Sequence, residues 1–406
     1  MDDDSCVVAR LPTSIAGPPR LTTNSEVATM TYLRSRLTLP ISRVLDWSDD
    51  PSNPIGTEYI IQEPVTGAPL HQLWPTMTSE QHMLCTKALS LAMKEMASLD
   101  FPAYGSLYFS DAPLDSARKI HLEKSFCIGP HCGSIYWNRG PREIELYGDS
   151  SPDCGPWKNL ERYCQGLIQT GFSRLPKYAI NNELLPHQGS NQEHIRLLNT
   201  SQSILQHLIE DTRVQESATP TLLHPDFHMR NIYVSIEDPT VLTGLIDWQS
   251  TSIEPAFTYV NQTPDFASIP EDFEEDTFQD ERDPKQKQKE YKDALIYICI
   301  KGFAPKLRPA RLLDESLFQL FRYSHTSWRD SATALRQDII DLSSRWDELG
   351  VSSSCPFSPS REELGQHARD YEDLEIVRGL KRWLRRSLGT NSDGWVENEG
   401  CVSCGL

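Results

Sequence analysis

Residues 222–231, "LLHPDFHMRN", place a histidine, an aspartate and an asparagine at fixed offsets between two short apolar segments. Asp226 precedes Asn231 by five residues, the offset at which a carboxylate and an amide share the work of phosphoryl transfer on one loop. Asp226 would accept the proton of an attacking hydroxyl group, and Asn231 would offer its side-chain oxygen to Mg²⁺. His224 would hold the loop in place. The spacing therefore predicts a catalytic loop.

A second metal-binding carboxylate is predicted at Asp247, which ends the apolar segment of "LIDWQ" (245–249). Asp247 follows Asn231 by sixteen residues, enough for two strands and a turn that return the chain to the loop. Each feature alone is weak, because H-x-D occurs in surface loops and a lone aspartate can end a strand. Their combination between apolar strands predicts a phosphotransferase-like site.

The composition of the chain argues against some classes of function. The chain has 406 residues and a net charge of −18, which argues against a nucleic-acid partner. No apolar run reaches the length of a membrane span, and the acidic start "MDDDSCVV" does not have the pattern of a signal or transit peptide. The Cys401–Cys404 pair and "CIGPHC" (127–132) are interpreted as free thiols, with a zinc site as the minor alternative.

Hydrophobic periodicity predicts an α+β chain with a small strand-containing part before a large helical part. A strand at 5–11, a helix at 23–37 and a strand at 58–65 are predicted first, and residues 104–156 are predicted to be rich in loops. Residues 270–283 are predicted to form an acidic solvated loop. Further helices are predicted from Ser79 and at 157–173, 191–216, 287–303, 314–325, 330–349 and 360–387.

Several blocks of sequence resemble one family. "LLHPDFHMRNIYV" and "LTGLIDWQ" are similar to the aminoglycoside phosphotransferase/choline-kinase-like family, which has a protein-kinase-like fold. "EYIIQEPVTGAPL", "YGSLYF" and "CIGP" resemble a fungal subgroup of that family. The resemblance implies a partial N-terminal nucleotide-binding lobe at 1–66 and a catalytic and substrate lobe at 67–387. Residues 388–406, beyond the resemblance, are predicted to form a flexible tail. It also implies that ATP and Mg²⁺ are the cofactors and that a small molecule with a hydroxyl group is the acceptor.

The resemblance assigns further residues to the nucleotide site. Asp226 falls on the family's catalytic base, and Asn231 and Asp247 fall on its metal ligands. Glu26 matches the helix glutamate that pairs with a strand lysine, but this chain has Arg10 where that lysine is expected.

The match also places the adenine contacts on the backbone of Glu63 and Val65, since Pro64 between them has no N–H.

Three alternatives stay open at this point. The segment from Thr23 to Glu26 has the pattern of a capping box, which needs no catalytic role. No glycine-rich loop precedes Arg10, which favours a pseudokinase-like binding or regulatory module over an active enzyme. The subgroup implies a mitochondrial location, whereas the chain by itself shows no presequence and would indicate the cytoplasm.

Overall fold

The computed structural model describes most of the chain. The described residues are 6–13, 17–137, 147, 151–176, 185–260, 263–267, 284–301 and 304–388. The acidic segment at 270–283, the tail from residue 389 onward and the Cys401–Cys404 pair lie outside them. Within the described residues, no helix is both long enough and apolar enough to cross a membrane.

An antiparallel sheet of three strands and one helix form the N-terminal part. The strands lie in the order β1-β3-β2, and Arg10 lies opposite Ile60 in the pair of β1 and β3. Ile60 is buried. The predicted strands and the predicted helix are all present. Their bounds are β1 (Val8–Arg10), α1 (Leu21–Arg36), β2 (Val44–Ser48) and β3 (Tyr59–Gln62).

The start of α1 rules out the capping-box alternative. Arg20 is the N-cap residue, with a φ of 64°, so Thr23 and Glu26 lie inside the helix. The carboxylate of Glu58 caps the helix instead, since it accepts hydrogen bonds from the Arg20 N–H at 2.7 Å and from the Thr23 hydroxyl at 2.6 Å. Glu26 therefore has no capping role.

A second three-stranded sheet lies where a loop-rich insertion is predicted. Its antiparallel order is β5-β7-β6, and that part of the prediction for 104–156 is wrong. The residues of β7 and most of those of β5 are buried, so the alternation that marks a half-buried strand is absent from the sequence. The sheet packs on α1. The Phe109 N–H donates to Asn24 Oδ1 at 3.2 Å, and the rings of Phe126 and Tyr32 meet edge-on with their centroids 5.2 Å apart. Its strands are β5 (Ser106–Phe109), β6 (Ile120–Glu123) and β7 (Phe126–Gly129).

The rest of the described chain is mainly helical. Leu335, Ile339, Leu342 and Trp346 are all buried, as their spacing in the sequence predicts. One hydrophobic cluster runs from α1 through these residues. The helices are α2 (Leu70–Leu73), α3 (Ser79–Ala97), α4 (Leu160–Ser173), α5 (Asn191–Leu208), α6 (Thr212–Ser217), α7 (Phe257–Val260), α8 (Pro284–Lys301), α9 (Arg308–Leu312), α10 (Gln319–Tyr323), α11 (Ser327–Asp330), α12 (Ala332–Ser344) and α13 (Arg361–Leu388).

Some predicted helix bounds are wrong for local reasons. Thr78, not Ser79, is the N-cap residue of α3, and it forms a capping box with Gln81. The helix predicted at 191–216 is two helices, because the Asp211 side chain accepts the Arg213 N–H and starts α6. The helix predicted at 314–325 is a series of short turns around α10.

Short strands surround the predicted catalytic loop. One sheet has the order β10-β9-β4, and β11 pairs with β8 in another, so the loop at 223–231 lies between β8 and β9. The Leu245 N–H donates to Pro40 O at 3.0 Å, which joins β10 to the chain that follows α1. These strands are β4 (Ala68–Pro69), β8 (Pro220–Leu222), β9 (Ile232–Val234), β10 (Leu242–Leu245) and β11 (Ile253–Pro255).

Candidate active site

His224 fastens the loop to the chain just before Asp247. It is buried, its Nδ1 accepts the Asp226 N–H at 3.2 Å, and its Nε2 donates to Ile246 O at 2.8 Å. Burial lowers the pKa of His224 to about 4, so the ring is neutral at physiological pH, as this pattern of one donor and one acceptor requires. The structure therefore gives His224 the loop-holding position that the sequence predicts.

The carboxylate of Asp226 is held by its neighbours on the loop. Asn231 Nδ2 donates to Asp226 Oδ2 at 2.8 Å and to the Asp226 carbonyl at 3.0 Å. Arg230 Nη2 donates to the same Oδ2 at 2.6 Å, while His228 Nε2 is 3.3 Å from Oδ1. Because two close donors occupy Oδ2, Oδ1 is the oxygen that remains more open to an incoming hydroxyl group.

The sequence did not indicate that Asp265 lies beside the loop. Asp265 accepts the Met229 N–H at 3.0 Å, and its Oδ1 is 3.5 Å from His228 Nδ1. The contact with Asp265 raises the pKa of His228 above its ordinary value. The histidine two residues after Asp226 and the arginine four residues after it were visible in the sequence, but nothing local points to Asp265.

Arg10 joins the N-terminal part to Asp247. Its Nη1 pairs with Glu26 Oε1, and its Nη2 is 3.0 Å from Asp247 Oδ1. Glu26 is only 5% exposed, and burial raises its pKa to about 7 although the Arg10 charge opposes that shift. The structure thus brings the predicted pair together and adds a third partner that the sequence did not indicate.

Asp247 and Asn231 lie on adjacent strand ends. The Ile246 N–H donates to the Asn231 carbonyl at 3.0 Å. Asn231 and the residue just before Asp247 are therefore hydrogen-bonded neighbours on adjacent segments. Asp247 has a φ of 66°, a left-handed conformation that few residues other than glycine adopt. Buried Trp248 fixes the turn, since its Nε1 donates to Leu245 O at 3.0 Å.

The donor set partly fits a magnesium ion. Carboxylate and amide oxygens suit Mg²⁺, which is usually bound by one or two protein groups together with phosphates and water. The Asn231 amide nitrogen is engaged with Asp226, so its oxygen is the atom that remains for a cation. In the described part of the chain, no group of three or more His, Cys, Asp or Glu side chains could hold a metal by itself. A cation here would therefore need further ligands, such as nucleotide phosphates or water.

Glu63 and Val65 lie where the chain leaves β3 and passes β10. The Glu63 carboxylate pairs with Arg43 at 3.0 Å on the surface. Val65 packs so closely on Gly244 that a Cβ at Gly244 would lie 2.2 Å from Val65 Cγ1. The segment from Glu63 to Val65 is thus held against the strand that leads to Asp247.

A cavity of about 320 Å³ opens beside the loop. Its wall is mainly apolar and aromatic, and it includes Met93, Phe227, His228 and Tyr297. A larger cleft of about 920 Å³ lies between α4, α5 and β8, but none of the site residues described above lines it. The smaller cavity is therefore the one that adjoins the candidate chemistry.

Residues 150–258 match the family model described as the phosphotransferase enzyme family. This segment contains the loop, Asp226, Asn231 and Asp247. The match confirms the resemblance predicted from the sequence, and with the architecture above it confirms the α+β, protein-kinase-like fold.

Individual proteins can then be compared. The chain is 27% identical to the subtelomeric hrmA-associated cluster protein of Aspergillus fumigatus, over 96% of this chain and 85% of that protein. It is 21% identical to altered inheritance of mitochondria protein 9, mitochondrial, of Kluyveromyces lactis, over 66% of this chain and 45% of that protein. A solved structure of the aminoglycoside phosphotransferase APH(2'')-Ib with ADP is 12% identical, with a TM-score of 0.37, over 83% of this chain and 85% of that one. The fungal relatives confirm the predicted resemblance to a fungal subgroup.

Proposed function

We propose that the chain is an ATP-dependent phosphotransferase that moves the γ-phosphoryl group to a hydroxyl group of a small molecule. The observation that carries this proposal is the arrangement of Asp226, Asn231 and Asp247 at neighbouring strand ends, joined to Glu26 through Arg10. Such transfer depends mainly on positioning and on charge stabilisation, and these residues supply both.

Asp226 is the proposed base. Its carboxylate is oriented by Asn231 and Arg230 through Oδ2, which leaves Oδ1 to accept the proton of the acceptor hydroxyl group as oxygen attacks phosphorus. His228 lies on the Oδ1 side and also lines the cavity beside the loop. The acceptor is therefore expected to enter along this apolar and aromatic wall.

The nucleotide would be held on the other side of Asp226. Asn231 and Asp247 are the proposed ligands of a magnesium ion, which would neutralise charge on the phosphates when bound. Arg10 places its guanidinium between Glu26 and Asp247, so it is the proposed cationic contact of the phosphates. The backbone of Glu63 and Val65 would contact adenine.

A specific observation supports a second candidate, a pseudokinase-like binding module. Arg10 occupies an oxygen of Asp247, the proposed metal ligand, and a guanidinium fork does not substitute freely for a lysine ammonium on phosphates. In this case the chain would bind a nucleotide, or another ligand, without transferring phosphate.

Substitution of Asp226 separates the two candidates. Asp226→Asn keeps the shape of the side chain and removes its charge, so turnover should fall by about 10²–10⁴-fold while MgATP affinity stays within a few-fold. Slow hydrolysis of ATP and transfer to a panel of hydroxylated metabolites are the two readouts. Glu237→Gln, an exposed change on the nearby hairpin, is the matched control and should leave both unchanged. Nucleotide binding with no turnover by the unmodified chain would favour the binding module.

We also propose a mitochondrial location, on the support of relatives whose names describe them as mitochondrial. Cell fractionation with tagged full-length protein tests it, and recovery only in the cytosolic fraction would contradict it.

A further inference from the structure

The C-terminal half of α13 carries an exposed apolar stripe, which consists of Ile376, Leu380, Trp383 and Leu384. These residues recur at the spacing of one helical face. Their exposed fractions are 64%, 55%, 55% and 41%. Leu374, on the opposite face, is 4% exposed, so the helix packs on the protein through the other side.

Nothing in the described part of the chain covers the apolar stripe. A Cβ placed on Gly379, in the middle of this segment, would meet no atom within 4 Å. Single exposed apolar residues are ordinary on a protein surface, but a continuous row that includes a tryptophan marks an interaction surface. The row ends with Leu388, which is also exposed.

The charge of this segment is opposite to that of the chain. From residue 376 to residue 388 the helix contains five basic residues and no acidic one, although the whole chain has a net charge of −18. Among the described residues, no carboxylate lies within ion-pair distance of three of these basic residues. The basic residues are Arg378, Lys381, Arg382, Arg385 and Arg386, and the three without such a partner are Lys381, Arg382 and Arg385.

We propose that the end of α13 docks on an anionic lipid bilayer, with the apolar stripe in the interface and the basic residues bound to lipid phosphates. A helix with tryptophan and leucine on one face and basic residues on the other part of its circumference is typical of interfacial binding. Anionic lipid attracts each such charge, whereas zwitterionic lipid does not. This inference does not depend on the proposed phosphotransferase activity.

A second copy of the chain fits the apolar stripe less well. Paired helices usually place charges of both signs beside the apolar seam, so that they attract one another across it. All the charges in residues 376–388 are positive, so two copies packed in parallel through this stripe would repel one another. An anionic surface complements the same charges.

Sedimentation of the full chain with lipid vesicles tests the proposal. The chain should bind vesicles of phosphatidylcholine with about one third phosphatidylglycerol and should not bind phosphatidylcholine alone, and added salt should weaken the binding. The double variant Leu380→Ser/Trp383→Ser should lose at least tenfold in affinity. Arg382→Gln/Arg385→Gln should lose about 25-fold, since each basic residue near the surface contributes about fivefold.

Leu312→Ser is the control, because Leu312 is a 74% exposed leucine outside the stripe and should bind as the unmodified chain does. Circular dichroism should show unchanged helix content in each variant, since the substituted apolar side chains are exposed. Absence of binding to the anionic vesicles, or equal binding by the Leu380→Ser/Trp383→Ser variant, would overturn the proposal. Self-association in solution that this variant abolishes would also overturn it and would assign the stripe to a second copy.

Discussion

Removal of the Arg10 charge should destabilise the protein in a way that depends on pH. Burial already raises the folded-state pKa of Glu26 from 4.5 to about 7, so ionisation of Glu26 costs stability as pH rises through this interval. Arg10→Met keeps the length of the side chain but removes its charge, and the pKa of Glu26 should then rise further. The additional loss of stability should therefore develop only above about pH 7.

The magnitude follows from the contacts of Arg10. A neighbouring cation typically changes the pKa of a carboxyl group by about one to three units, and the Arg10 side chain is 31% exposed, so solvent screening places the expected further rise in the pKa of Glu26 at about one to two units. One unit corresponds to about 1.4 kcal/mol, which gives an additional loss of about 1–3 kcal/mol at high pH. Urea unfolding of both proteins at about pH 6 and about pH 9 measures it.

A second substitution supplies the control. In the Arg10→Met/Glu26→Gln protein the acidic group is absent, so the pH-dependent part of the loss should disappear, while any loss from missing packing stays at every pH. An equal effect of Arg10→Met at both pH values would refute the reasoning, because it would mean that Arg10 does not counter the charge of Glu26.

Three further outcomes follow from individual contacts. His224→Ala should destabilise the protein by about 1–3 kcal/mol, because the Ile246 carbonyl loses its donor, and nucleotide binding should weaken with it; urea unfolding and calorimetry measure the two effects. Asp338→Asn should be nearly neutral at about pH 4 and should stabilise by about 1–3 kcal/mol at about pH 8, since burial raises the folded-state pKa of Asp338 from 3.8 to about 7 and its ionisation costs stability as pH rises through that interval; an equal effect at both pH values would contradict this. Gly244→Ala should lower the melting temperature, because the added Cβ would collide with Val65, whereas the same change at exposed Gly350 meets no atom and should show only the strain of its positive φ.

The sequence predicts the parts of the site that are local in the chain. Asp226 and Asn231 are five residues apart on one loop. The two strands between Asn231 and Asp247 are short, so the chain has few ways to continue other than to return to that loop. His224 was predicted to hold the loop, and the structure shows that its partner is Ile246, at the end of the returning strand. Local spacing thus determines which of these groups meet.

Contacts between distant segments were not predictable in this way. Arg10 reaches Asp247 across 237 positions, and the cap of α1 comes from Glu58, which is 35 positions beyond Thr23. A capping-box pattern is present in the sequence, but the tertiary contact with Glu58 replaces it. Strands β5 and β7 were missed because strands buried on both faces lack a polar alternation.

Titration of the chain with ATP, with and without Mg²⁺, tests the central claim most directly when Asp247→Asn is measured beside the unmodified protein. Asp247 supplies the one carboxylate of the proposed metal site, so calorimetry should show Mg²⁺-dependent binding by the unmodified chain and a loss of at least tenfold in the folded variant. Glu237→Gln should bind as the unmodified chain does. Binding of MgATP with equal affinity by Asp247→Asn, or no binding of nucleotide by the unmodified chain, would contradict the account.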